Sequence, residues 1–143
     1  MPVDPLILAD NDMQLIRLEV LIAGKPDYSK SLGEGWTVAV ALAHLAFWDR
    51  RAAYLLVHWT PGKPPAELDD EMINTVLFDE WHVLSGKTAG ELALTAARDV
   101  TSVAKSLDSR AAADVAVQGL TWLMHRANHR REHIDQIEAA LAS

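Results

Sequence analysis

The chain has 143 residues, half of them hydrophobic, a net charge of −7 and no cysteine. That length and composition predict one soluble globular domain, 1–143, large enough for a real core; the negative balance argues against the basic face that nucleic acid requires. The absence of cysteine excludes disulfides, thiolate metal sites and a cysteine nucleophile, and it fits a reducing cytoplasm.

Met1-Pro2-Val3-Asp4 carries no positive charge, so no signal peptide is expected. No apolar run reaches the ~20 residues that span a bilayer, and no membrane association is expected. Asp4-Pro5 can open a first helix, with Asp as cap and Pro in the first helical position. Leu8, Met13, Ile16 and Val20 suggest its buried face, and Gly24 with Lys25-Pro26 ends it. A polar, glycine-containing loop follows over 25–35. Thr37 then caps a second helix that is apolar on most sides, runs to about His58 and is expected at the centre of the fold. The stretch Thr60-Pro61-Gly62-Lys63-Pro64-Pro65 cannot be helical and reads as a connector, long enough to cross between bundle ends.

The spacing of Met72, Val76, Leu77, Trp81 and Leu84 predicts a third helix over 68–84, stopped by Ser85-Gly86. Thr88-Ala89-Gly90-Glu91 has the form of a capping box and predicts a fourth helix through Leu107. Asp108-Ser109 restarts the chain, and one last helix is expected over 110–141. No strand-like alternation of useful length occurs. The fold class is all-α, a helical bundle.

The chemistry gathers in the last helix. His125, His129 and His133 recur at every fourth residue, which on a helix stacks them along one face. His125 and His133 are then on the order of 12 Å apart, too far to share an ion, so His129 and His133 are taken as the pair. A third ligand must come from elsewhere, and His44, set in Leu42-Ala43-His44-Leu45-Ala46-Phe47-Trp48, is the candidate. The competing reading is a core histidine bonded to the backbone, because an unpaired buried ring nitrogen costs on the order of 1–3 kcal/mol. For His129 and His133 it is a solvated helix face among Arg and Glu. His58 and His82, near helix ends, read as surface residues. His129-Arg130-Arg131-Glu132-His133 also matches the H-x-x-E-H pattern of inverted zinc peptidases; that match is read as accidental, with Glu132 kept as a candidate proton acceptor. Di-iron chemistry would need Glu-x-x-His pairs, and none is present.

Three phrases together resemble the DinB/YfiT-like superfamily, which includes thiol S-transferases and mycothiol-dependent maleylpyruvate isomerases. They are Trp36-Thr37-Val38 leading into His44 and Trp48-Asp49-Arg50-Arg51, the segment around Asn74, and His129 to Ile137. The resemblance implies a four-helix bundle with a long crossover, often a homodimer. It also implies a divalent metal, zinc or nickel, on residues matching His44, His129 and His133. Three neutral histidines leave an open coordination position, which suits catalysis. In relatives the reacting thiol is a low-molecular-weight cofactor such as bacillithiol or mycothiol, and a chain without cysteine needs such an external thiol. Arg126 and Arg130 are candidates to hold a carboxylate of that thiol or of a small-molecule acceptor. The alternatives are a protein that sequesters a metal or a toxic small molecule, a small metal-dependent hydrolase, or a bundle whose histidines are structural.

Overall fold

A computed structural model describes residues 3–143; the N-terminal reading rests partly on Met1 and Pro2, which lie outside the described residues. Six α-helices dominate, with one short hairpin: α1 (Pro5–Ala23), β1 (Ser31–Gly33), β2 (Trp36–Thr37), α2 (Val38–Val57), α3 (Asp70–His82), α4 (Gly86–Ser106), α5 (Ser109–Val117) and α6 (Ala127–Leu141), the last preceded by a 3-10 turn at Thr121–Leu123. The all-α expectation holds. No helix among the described residues is long and apolar enough to cross a membrane.

Helix α2 is the centre, as its composition predicts. Val38, Val40 and every residue from Ala41 to Ala46 are buried, and it packs along α4 and against α3 and α6. Helix α1 lies against α4 and α6. Thr37 caps α2 by accepting from the Val40 N–H at 3.2 Å. Its other role was not foreseen: Thr37 and Trp36 pair antiparallel with Ser31 and Gly33. Gly33, Glu34 and Gly35 all take positive φ, which closes this tight hairpin and needs glycine at the two flanking positions.

Asp4 caps α1 through the Leu6 N–H, and Gly24 ends it, both as expected. Its buried face differs from the predicted one. Leu8, Asn11, Gln14 and Leu18 face inward, whereas Met13, Ile16 and Val20 are exposed. The helix is apolar on two sides, so periodicity alone could not choose between them. Asn11 decides the matter by working inside: its amide donates to the Met124 carbonyl at 2.8 Å, and its oxygen accepts from the Ala127 N–H at 3.0 Å. Helix α6 has no side-chain cap of its own, so α1 supplies one across the fold.

Three further boundaries move. In α3, Trp81 is buried but Met72 and Val76 are exposed, because α3 covers only one side of α2. Helix α4 begins at Gly86 with Ser85 as cap, the Ser85 hydroxyl taking the Thr88 N–H, so the Thr88 capping box does not form. Gly86 thus starts a helix instead of ending one, and glycine is needed there because a Cβ would run into the Tyr28 Cβ. The expected helix over 110–141 is two helices. Gly119, at φ +74°, breaks it, and the chain passes through the 3-10 turn before α6 begins. Asp114 on α5 accepts from Trp59 Nε1 at 2.8 Å and from the Gly62 N–H at 3.0 Å, and so ties down the irregular 58–69 connector.

Candidate metal centre

His44 comes from the buried middle of α2, 6% exposed, with the edges of Trp36 and Trp81 packed at 5.4 Å from its ring. Its orientation is set by Asn74 of α3. Asn74 Oδ1 accepts from Trp48 Nε1 at 2.9 Å and faces His44 Nδ1 at 3.2 Å. An indole N–H can only donate, so the amide atom between them is oxygen and His44 must donate through Nδ1. Its Nε2 is left with a free lone pair.

Helix α6 brings the other two. His129 Nε2 lies 3.0 Å from His44 Nε2 and 3.2 Å from His133 Nε2. One ring nitrogen from each histidine falls within 4.8 Å of the others, so this group can hold a metal ion. Four ligands set tetrahedrally at ~2.0–2.1 Å from zinc lie roughly 3.3 Å apart, close to these separations. His133 Nδ1 is held by Gln136 Oε1 at 3.1 Å. His44 and His133 thus resemble ordinary metal-binding histidines, whose second nitrogen donates to an oxygen. His129 differs: its Nδ1 faces Arg126 Nη2 at 3.1 Å.

Burial governs the electrostatics. It pushes His129 down to about 2, helped by the positive charge of Arg126. It pushes His44 down to about 3, against the Asn74 hydrogen bond that favours protonation. His133 is lowered by the same cause, opposed by Gln136 and Glu132. All three are neutral at neutral pH, the form in which imidazole binds metals.

Beneath the histidines lies a buried ionic cluster. Asp49 of α2 accepts from Arg126 Nε at 2.9 Å and from Arg130 Nη2 at 3.2 Å, while Arg130 Nη1 donates to the Asn11 carbonyl at 3.1 Å. Their side chains are 2%, 5% and 0% exposed for Asp49, Arg126 and Arg130. The carboxylate these arginines hold is therefore the chain's own. Arg130 is wholly enclosed and does not reach a substrate, which corrects the expectation for it; Arg126 keeps one edge on the site.

The histidines form the floor of an open cavity of about 660 Å³, walled by Trp48 and Trp122, with Asp70 and Glu132 also on its lining. Its size is that of a small-molecule site. Glu132 is exposed and lines the same cavity as His129 and His133. His125 also lines the cavity but is no ligand: it precedes α6, and its Nε2 pairs with Asp10 Oδ2 at 2.8 Å, Arg131 holding the other oxygen of that carboxylate. His58 and His82 are exposed and bonded to backbone carbonyls of Tyr54, Phe78 and Gly35. Sequence reasoning missed Asp49, although a carboxylate among Leu45, Ala46, Ala52 and Ala53 signals a buried partner. It also missed Gln136, one turn beyond His133.

The fold and site define an all-α protein with a three-histidine cluster at the base of an open cavity. Comparisons with protein-family models, with curated proteins and with solved structures find no match to this chain.

Proposed function

We propose that this protein is a metal-dependent transferase of the DinB/YfiT-like superfamily. In this reading His44, His129 and His133 hold a divalent ion, zinc or nickel, and the enzyme adds a low-molecular-weight thiol of the bacillithiol or mycothiol type to an electrophilic small molecule. The observation that carries this reading is the convergence of three neutral Nε2 atoms on the floor of a cavity open to solvent. Imidazole donors suit both metals, and three protein ligands leave a position for a reactant.

A divalent ion held there supplies Lewis acidity that lowers the pKa of a thiol at its open position. The protein does the rest. Asn74 and Gln136 fix the rings of His44 and His133 so that their Nε2 atoms point inward. Trp48 and Trp122 provide aromatic walls against which the electrophile packs. Glu132, which lines the same cavity, takes the proton as the S–H bond breaks. The sulfur pair forms the new S–C bond, and the leaving group departs with its own electron pair. The thiol is supplied from outside because the chain has no cysteine, and a reducing cytoplasm provides it.

The test is conjugation of a dinitrophenyl halide by metal-loaded protein supplied with bacillithiol or mycothiol. Turnover that is abolished by chelator and by His129→Ala is the expected result. Equal rates with wild type and His129→Ala would overturn it. Loss of one equivalent of electrophile without turnover would show sequestration instead.

A further inference from the structure

Besides the three candidate ligands, one more histidine lines the cavity, and its ring is held by a chain of three residues. His125 Nε2 donates to Asp10 Oδ2 at 2.8 Å. Arg131 Nη2 holds the other oxygen of that carboxylate, and Arg131 Nη1 donates to Asn128 Oδ1 at 2.7 Å. The His125 hydrogen bond, with Arg131 beside it, keeps the Asp10 carboxyl below the usual carboxylate range. An ionised carboxylate only accepts, so the proton between the two groups sits on His125 Nε2. Nδ1 is then the ring's free nitrogen: it has no partner among the described residues and is not enclosed.

The fold does not need this ring to join its helices. Asn11 already ties α1 to the start of α6 through the Ala127 N–H and the Arg130 side chain, and the Arg131–Asp10 pair adds a third link. An imidazole oriented by one group that is itself oriented by another, with one nitrogen left open, is the arrangement that positions a proton-transfer residue.

We infer that His125 is a second proton-transfer group of this site, donating from Nδ1 to the oxygen of an epoxide as the thiol opens it. The inference rests on the transferase reading and names a class of electrophile for it. A halide acceptor needs only Glu132, because the halide ion leaves without a proton. An epoxide needs more: when its C–O bond breaks, the electron pair stays on a strongly basic oxygen. Histidine is the side chain that changes charge near neutral pH. With both nitrogens protonated, this ring keeps Nε2 on Asp10 and presents Nδ1–H.

In the step, the sulfur pair forms the S–C bond, the C–O pair goes to oxygen, and oxygen takes the Nδ1 proton. Glu132 has the thiol proton. Water then returns a proton to His125 and removes one from Glu132, so thiol and epoxide sum to a hydroxy thioether. His125 stands four residues before His129 and Glu132 three after it. All three line the same cavity, whose volume of about 660 Å³ has room for both reactants.

The test compares two acceptors. Metal-loaded full-length protein receives bacillithiol or mycothiol with either styrene oxide or a dinitrophenyl halide, and thioether formed above the protein-free rate is measured by mass spectrometry. Wild type is expected to turn over both. A positioned general acid contributes about 100-fold or more, so the ratio of epoxide to halide turnover is expected to fall about that far in His125→Gln. Asp10→Asn, which disturbs the positioning residue, is expected to lower the ratio less. Loss of structure or of metal slows both reactions together and does not move the ratio. An unchanged ratio in His125→Gln would overturn the inference, as would wild-type turnover of the halide without the epoxide; both leave the transferase reading standing. Turnover of neither acceptor by wild type rejects the two together.

Discussion

Arg126 donates through Nη2 to Nδ1 of His129, 3.1 Å away. A guanidinium has donors only, so the His129 proton sits on Nε2. From there it points between the Nε2 lone pairs of His44 and His133, at 3.0 and 3.2 Å. An ion bound among the three Nε2 atoms would have to displace that proton from Nε2 of His129. Since all three rings are already neutral, no imidazolium contributes to the proton balance. Uptake of zinc or nickel by chelator-treated protein near pH 7.5 is expected to reach about one ion per chain and to release at least one proton, read from calorimetric heats in buffers of different ionisation enthalpy. His44→Ala is expected to bind at least 100-fold more weakly. Uptake without proton release would mean that Arg126 lets go of Nδ1.

The same burial sets the response of the metal-free fold to acid. Unfolded histidine titrates near 6.5, whereas His129 is held at about 2 and His44 at about 3. Between those values the unfolded chain binds more protons than the folded one, so stability rises with pH in that window and falls as pH drops below about 6.5. Each such histidine contributes a slope approaching 1.4 kcal/mol per pH unit. The melting temperature is therefore expected to hold above pH 7 and to decline steadily from pH 6.5 to 4.5, with a shallower decline in His129→Gln. A flat profile would contradict the burial of these rings.

How far the site could be read from the sequence depends on which interactions were local. The His129–His133 pair follows from helical spacing, and His44 from its place in an apolar helix. What was illegible is long-range. Arg126 and Arg130 look like a free basic face until Asp49 arrives from another helix. Asn11 looks like an interruption of α1 until α6 needs its cap. His125 was placed on the histidine face because nothing marked Gly119 as a break strong enough to end a helix in an otherwise helical stretch. In α1, Leu8 of the expected apolar pattern lies inside but Met13, Ile16 and Val20 lie on the exposed face, while the inner face carries two polar residues, Asn11 and Gln14, that a hydrophobic pattern does not count.

Asn74 and His125 separate a positioning role from mere proximity to the cavity. Asn74 Oδ1 is the atom that fixes the His44 tautomer, so Asn74→Leu is expected to lower metal affinity by about 10–100-fold while the histidines stay in place. His125 lines the same cavity but is paired with Asp10, 25% and 29% exposed respectively. His125→Ala is expected to leave metal stoichiometry and affinity unchanged and to cost no more than about 1 kcal/mol of stability. Titrating both variants with the same ion distinguishes them. Equal effects would mean that the tautomer of His44 is not what Asn74 controls.

Asp49 is the remaining link between the helices that carry the ligands. It is 2% exposed and binds Arg126 at the start of α6 and Arg130 one turn further on, while Arg130 also reaches the Asn11 carbonyl of α1. The interaction therefore fixes α6 against α1 and α2, and with it the approach of His129 to His44. Removing one member of a buried ion cluster leaves charge without compensation, a loss of about 3–5 kcal/mol. Asp49→Asn cannot relieve this, because its amide would turn a donor towards one of two guanidinium groups. The exposed Arg17–Asp135 pair is the natural control: Asp135 is 61% exposed, and Asp135→Asn is expected to cost about 1 kcal/mol or less. Urea denaturation of metal-free protein measures both. If Asp49→Asn proves as mild as Asp135→Asn, the two arginines are neutralised by something other than Asp49, and the histidine geometry does not depend on it.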